Sequence, residues 1–369
     1  MMYRQTVLPY RKGFNLSYLM CPQKGIDAGN QENYRKKLRD QNPISYELIN
    51  SDLEMIADLG FNFVRFPLNY INFIQNYNDF WKGSDFEFKE REIAIIDKAV
   101  ERAAELGIYA ELSLHRAPGY TVGRIELDPY SLWKDDEADK AFVNIWKKLT
   151  ERYRAVSATK LGFNLVNEPY SKYAGRRLLD IKKHNAVMRK TVNEIRALGD
   201  KRTVFLDGTN WGRESIPELC DLEGVAQSCR AYDPREVTHF SFSQDEDENG
   251  FVKWPDMPGK ESRKYERQII WTKETLYKEF EDWAKLAQER GIGVHCGEGG
   301  VVNKCPHNVA LSWFSDVTDI LNGFNIGFAL WELRGIFGVI DSERKDCKYV
   351  DYKGHMLDKE MLDIMKRGL

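Results

Sequence analysis

The sequence predicts a single-domain α/β protein, a (β/α)8 TIM barrel with long βα loops that occupies residues 1–369. Three observations carry this reading. Eight short, largely apolar runs alternate with amphipathic helical patterns along the whole chain, as a parallel sheet covered by helices requires. Several helical patterns stop at a glycine, Gly60, Gly107, Gly199 or Gly291, with a strand close behind. No GxGxxG or GxxxxGK[ST] follows any strand, so the phosphate-binding signatures of an open doubly wound sheet are missing, and eight is the strand number that closes without edges.

The elements follow in order. The first strand reads GFNLSY (13 to 18), and a helix is expected over 45 to 59, where apolar residues recur at spacings of three and four. FNFVRF (61 to 66) is strand two, followed by a helix at 90 to 106, and IYAELSLH (108 to 115) is strand three, followed by a helix at 138 to 155. KLGFNLVNE (160 to 168) and TVFLDG (203 to 208) are strands four and five, with a helix at 176 to 198 between them. The fifth helix is weakly marked, since residues 209 to 234 offer only SIPELCDLEG. EVTHFSF (236 to 242), with β-branched and aromatic residues, is strand six, and helices at 272 to 290, 308 to 322 and 359 to 367 alternate with GVHCGE (293 to 298) and IGFALWE (326 to 332). Residues 19 to 44 and 243 to 271 read as long loops, which in a barrel tend to carry function.

Bulk properties exclude several classes. With 54 Lys and Arg against 57 Asp and Glu the net charge is −3 and the signs are interspersed, so neither nucleic acid nor an anionic membrane is an expected partner. No apolar run of membrane-spanning length occurs and the start MMYRQTVLPYRKGF has no secretory character, so the chain as written is expected in the cytoplasm as a monomer, or secreted if a leader has been removed. The six cysteines lack CxxC spacing and read as reduced thiols, without a disulfide framework, a metal site or a cofactor.

Chemistry in a barrel gathers where the strands end. The strand ends deliver Arg65, His115, Asn167 with Glu168, Trp211, His239, Glu298 and Trp331. Each alone is ordinary: an arginine is commonly an ion-pair partner, a histidine a satisfied structural residue, a tryptophan core. Together they do not fall on one rim by accident. Glu168 ends strand four and Glu298 ends strand seven, a pair of carboxyls suited to glycoside hydrolysis, in which one protonates the departing oxygen and the other meets the developing oxocarbenium centre.

The motifs KGFNLS, FVRFP, LHRAPGY, NLVNEP, THFSF, GEGG and ALWELRGIFGVID resemble glycoside hydrolase family 5, the retaining cellulases and mannanases with catalytic glutamates on strands four and seven. The resemblance implies Glu168 as acid/base, Glu298 as nucleophile, Asn167 as the amide for the sugar 2-hydroxyl and Arg65 as the cation beside Glu298. It also implies His115 and His239 as cleft histidines and Trp331 as an aromatic platform, and the loop residues Trp81, Trp133, Trp211 and Trp254 are read as possible sugar-binding aromatics. The implied activity is an endo-acting retaining β-glycosidase on β-1,4-glucan or related β-glucan oligosaccharides, with mannan as the alternative, its carboxyls about 5 Å apart. Two positions depart from the family: Ser241 stands where a tyrosine two residues after a strand-six histidine is usual, with Tyr232 or Tyr120 as stand-ins, and Ser113 replaces the Asp of a DLH motif. Rival readings are a metal-dependent hydrolase barrel built on His115, His239 and His295, and a non-catalytic carbohydrate-binding barrel.

Overall fold

The computed structural model describes residues 3–19, 45–81, 86–122, 128–170, 172–173, 176–177, 179–241, 250–260 and 268–369. Of the two expected long loops, nearly all of 19 to 44 and, within 243 to 271, residues 243–249 and 261–267 lie outside the described residues. Eight strands of the principal sheet build the barrel, β1 Lys12–Asn15, β2 Phe63–Asn69, β3 Tyr109–Ala117, β4 Leu161–Asn164, β5 Val204–Asp207, β6 Val225–Ala231, β7 Gly293–Gly299 and β8 Gly327–Leu330, and Tyr120–Thr121 adds a short antiparallel partner to β3. Their order is β2-β1-β8-β7-β6-β5-β4-β3, with β2 also paired to β3, which makes the sheet a closed (β/α)8 barrel. The strands alternate with helices α1 Tyr46–Asp58, α2 Glu90–Glu105, α3 Asp136–Arg152, α4 Ile181–Ala197, α5 Arg235–Thr238, α6 Lys273–Arg290, α7 His307–Phe324 and α8 Lys359–Met365, and short helical segments also occur at Tyr70–Phe73, Tyr77–Phe80 and Thr209–Gly212.

Seven of the eight strands fall where the apolar runs lie, and the sixth does not. It is Val225–Ala231, VAQSCRA, inside the stretch where a fifth helix was expected, and that stretch holds only the short helical segments Thr209–Gly212 and Pro217–Leu219. The EVTHFSF run instead opens with α5, one turn entered through Pro234, whose N-cap position starts a helix rather than a strand. The β-forming side chains of that run are used to pack the turn, with Val237 and Thr238 buried.

Two compact units are built from these elements, one of Met1–Asn15, Arg213–Pro217 and Gln227–Leu369, the other of Leu16–Gly212 and Glu218–Ala226. In the second unit, β2 and β3 run parallel with Arg65 opposite Glu111 and Pro67 opposite Ser113, and β3 pairs β4 with Ser113 opposite Asn164. α3 buries Phe142, Ile145, Trp146 and Leu149 along one stripe, as a period of 3.6 demands. The Trp146 indole also donates to Leu165 O at 3.1 Å, so its polar atom is satisfied inside the core. In the first unit α7 does the same with Ala310, Trp313, Phe314, Val317 and Leu321, and Trp313 donates to Asp233 O at 2.9 Å. Truncating either tryptophan removes a fully buried ring, a change that costs about 3–5 kcal/mol in cores of this kind. α6 ends at Gly291, whose left-handed backbone (φ 64°) returns its N–H to Ala287 O and turns the chain into β7.

Candidate active site

In the second unit the site begins with a buried arginine. Arg65 on β2 is fully buried, and its Nε lies 3.1 Å from Glu111 Oε1 on β3. Its Nη2 donates to Ser113 Oγ at 2.7 Å and to Asn164 Oδ1 and Asn167 Oδ1, each at 2.8 Å. A guanidinium taken out of water needs such compensation, and the strand register supplies it, with Glu111 level with Arg65 and Ser113 and Asn164 two residues further along. Ser113, standing where an Asp is usual, keeps its place in the network and donates onward to Asn164 Oδ1 at 2.6 Å. Since Asn167 Oδ1 is turned to Arg65, its amide NH2 faces the other way, 3.5 Å from Nε2 of half-buried His115.

The network continues to Glu168 through one carboxylate. Asp207, the last residue of β5, accepts from Asn164 Nδ2 at 2.8 Å with one oxygen and from the backbone N–H of Glu168 at 2.8 Å with the other. Glu168 is left-handed (φ 47°), a conformation an L-residue holds only when its surroundings fix it. The second clamp is Tyr120, whose hydroxyl donates to Glu168 O at 2.6 Å and accepts from Tyr170 N at 3.0 Å. Burial, followed by the negative Glu168 carboxylate, raises the Tyr120 phenol well above its ordinary value, so it stays a donor. Beyond the turn, Tyr170 stacks on Trp211 at 3.6 Å between centroids, and Asn210 N donates to Pro169 O at 3.0 Å.

In the first unit the corresponding residue is Glu298 on β7. The register between β7 and β8 shifts between Cys296 and Gly299, so Glu298 sits on an irregularity of the ladder, a common way to re-aim a side chain at a site. Glu298 is buried, and Arg230 near the end of β6 meets it, Nη2 to Oε1 at 3.3 Å. Arg230 is itself fixed by Ser228 Oγ at 2.8 Å and Cys229 O at 3.0 Å. Gly297 makes this possible: a Cβ there would lie 2.7 Å from Ser228 Oγ and 3.0 Å from Arg230 Nη1. The Tyr232 hydroxyl donates to the other oxygen, Glu298 Oε2, at 3.4 Å.

The position of β6 resolves the tyrosine expectation. Strand six ends at Ala231 and Tyr232 follows it, so a tyrosine does stand two residues after Arg230 and reaches Glu298, a place the sequence alone gives to Ser241. His239 is not a strand-end residue; it caps α5. It packs edge-on against Tyr232 at 5.2 Å and Phe337 at 5.6 Å, and burial, then Arg235 and Arg213, press its imidazole down to about 3. Trp331 follows β8, half-exposed, its N–H donating to Gly299 O at 2.8 Å, and its peptide to Glu332 is cis. Asn15 ties β7 to β8 by donating to Gly297 O and Leu330 O at 3.0 and 3.3 Å.

Thus Arg65, His115, Asn167, Glu168 and Trp211 fall in one unit, and His239, Glu298 and Trp331 in the other. Of the loop tryptophans read as sugar-binding, Trp133 and Trp254 are buried, the first against Tyr120 and the second donating to Asp316 Oδ2 at 3.0 Å, so they are structural. Arg230, Asp207, Asn164 and Glu111 were not singled out from sequence. Their partners lie on neighbouring strands, and only the AYDP that follows Arg230 could have hinted at the end of β6.

A closed (β/α)8 barrel that ends two of its strands in buried or clamped glutamates, with amides and aromatics around them, has the make-up of a glycoside-cleaving enzyme. Residues 38–335 match the family model of the cellulases, glycosyl hydrolase family 5, and the chain belongs to that family of enzymes. It is 25% identical to Endoglucanase C of Acetivibrio thermocellus over 312 residues, covering 80% of this chain and 86% of the relative. It is 25% identical to Cellodextrinase A of Ruminococcus flavefaciens over 280 residues, 75% of each chain. A crystallised glycoside hydrolase superposes with a TM-score of 0.80 at 31% identity, over 97% of this chain and 98% of that one. Among the described residues no helix is long and apolar enough to cross a membrane.

Proposed function

We propose that this family 5 enzyme is a retaining, endo-acting β-glycosidase that cleaves β-1,4-glucan or related β-glucan oligosaccharides, with Glu298 as nucleophile and Glu168 as acid/base. The observation that carries the reading is the setting of Glu298, buried between the guanidinium of Arg230 and the hydroxyl of Tyr232. A cation on one oxygen and a donor on the other hold both oxygens of this buried carboxylate in place, as an attacking group requires.

In the first step a Glu298 oxygen bonds to the anomeric carbon as the glycosidic bond breaks, and the proton of Glu168 passes to the leaving oxygen. In the second, Glu168, now a carboxylate, takes a proton from water as the water oxygen attacks that carbon and Glu298 departs. Asn167, its Oδ1 held by Arg65 and its NH2 turned toward His115, is the amide that donates to a sugar hydroxyl. Trp331 offers a ring face for the apolar side of a sugar. The names of the relatives, an endoglucanase and a cellodextrinase, favour β-glucan over mannan as substrate.

Proton NMR during hydrolysis of a soluble β-1,4-glucan oligosaccharide tests this. The first reducing sugar to appear is expected as the β anomer, with cleavage at internal bonds. An α anomer appearing first overturns the assignment of Glu298, and preferential cleavage of a matched β-1,4-mannan oligosaccharide overturns the substrate.

A further inference from the structure

Away from the strand ends, three side chains of different chemistry converge between the loops that follow β7 and β8. Among the described residues, His307, Cys347 and Asp358 form the one group of three candidate metal ligands in which all donor atoms lie within 4.8 Å of one another. They come from three separate segments: His307 opens α7, Cys347 lies in the loop after β8, and Asp358 is the N-cap of α8. His307 and Asp358 are buried, and Cys347 is half-exposed. We propose that these residues are a structural zinc site, unrelated to the hydrolytic step, that ties the two loops to the last helix.

The arrangement argues for a metal in three ways. The donors are an imidazole nitrogen, a thiol sulfur and a carboxylate oxygen, a mixture that suits zinc and not calcium or magnesium. His307 Nε2 is already 2.9 Å from Asp358 Oδ2, and the Cys347 thiol is hydrogen-bonded to the same carboxylate. Ligand atoms around tetrahedral zinc sit about 3.5 Å apart, so a small turn of the half-exposed Cys347 closes the set and leaves the fourth position to water. The outer support is present too. Glu360 Oε2 lies 3.8 Å from His307 Nδ1, and a modest movement of this exposed side chain brings it to accept from Nδ1–H when Nε2 is the ligand, the carboxylate–histidine pairing typical of zinc ligands. Asp358 Oδ1 is held by Met361 N at 3.0 Å, which leaves Oδ2 for the metal.

Zinc entering the site displaces the thiol proton of Cys347 to solvent and moves the His307 proton from Nε2 to Nδ1. The loops it joins are already linked to each other: His307 N donates to Asp346 Oδ2 at 2.7 Å, and Arg344 donates to Cys305 O and, at 3.2 Å, to Val301 O.

The test uses the whole chain, stripped with a chelator and titrated with zinc chloride against a chromogenic competitor, and with cobalt(II) as a spectroscopic probe. One equivalent of zinc is expected, with a rise in melting temperature, and the cobalt form should show thiolate-to-metal charge transfer. Cys347→Ser, on a half-exposed loop, should fold as wild type by circular dichroism yet lose the charge-transfer band and the stoichiometric zinc. Glu360→Gln, which keeps every ligand, should bind zinc roughly tenfold more weakly. Wild-type protein that takes up no stoichiometric zinc, or a Cys347→Ser variant that binds it as wild type does, overturns the site. Neither readout uses catalytic activity, so the outcome is independent of the proposed reaction.

Discussion

Arg230 Nη2 stands 3.3 Å from Glu298 Oε1, with both side chains almost entirely removed from solvent. Two opposite charges that share a buried position each leave the other uncompensated when removed, so breaking such a pair costs about 3–5 kcal/mol. Arg230→Ala is therefore expected to lower stability by an amount of that order and to slow formation of the glycosyl-enzyme. Chemical denaturation and pre-steady-state measurement of the aglycone burst check it; unchanged stability and burst rate would show that the pair does little.

Tyr232 donates to the second oxygen of Glu298 at 3.4 Å, a longer and weaker contact. Tyr232→Phe keeps the ring against His239 and Phe337 and removes only the hydroxyl. The fall in kcat should be about tenfold to a hundredfold, at or below the cost of losing a well-formed transition-state donor, with KM little changed. Steady-state kinetics of Tyr232→Phe beside Ser241→Ala decides the matter, since the serine variant should keep its rate. Equal losses in the two would remove the role given to Tyr232.

The two glutamates should fail differently. Glu298→Ala should lose the covalent step for every substrate, and azide should rescue it to an α-glycosyl azide. Glu168→Ala should keep its first step on an aryl glycoside with an acidic phenol, and azide should restore turnover as the β-glycosyl azide. Identifying the azide anomer by NMR separates the roles. A β-azide from Glu298→Ala would exchange them.

His184, buried against Trp133, is pushed down to about 4 by burial, with only a hydrogen bond to Asn185 opposing. The folded state keeps it neutral while the unfolded chain takes up a proton near pH 6.5, so between about pH 6.5 and pH 4 the unfolded state binds more protons and stability falls as pH falls. The loss amounts to about 3 kcal/mol across that window and is constant below it. His184→Gln should flatten this part of the stability profile measured by urea denaturation. An unchanged slope would show that other groups dominate.

What the chain disclosed in one dimension follows from where its partners lie. Seven strands were legible because each is a self-contained apolar run, as Phe63, Val64 and Phe66 are on β2. β6 was not, because Gln227, Ser228 and Arg230 give it a polar face that reads as loop, while Val237, Phe240 and Ser241 mimic a strand that Pro234 turns into a helix. The two glutamates were legible through NEP and GEGG. Asp207, Asn164 and Glu111 carry no local mark, since each takes its meaning from a residue at least 39 positions away, as Asp207 does from Glu168.

The divided carboxylate of Asp207 makes Glu168 and the arginine side of the barrel a single linkage: one oxygen grips the main chain of Glu168, the other the amide that holds Arg65. Tyr170 and Trp211, both half-exposed, contribute their stacked rings instead. Laboratory evolution toward new sugars can then recut the aromatic surface at 170 and 211 while the linkage is kept constant. Libraries that randomise position 207 should instead yield chains in which chemistry and sugar preference are lost together.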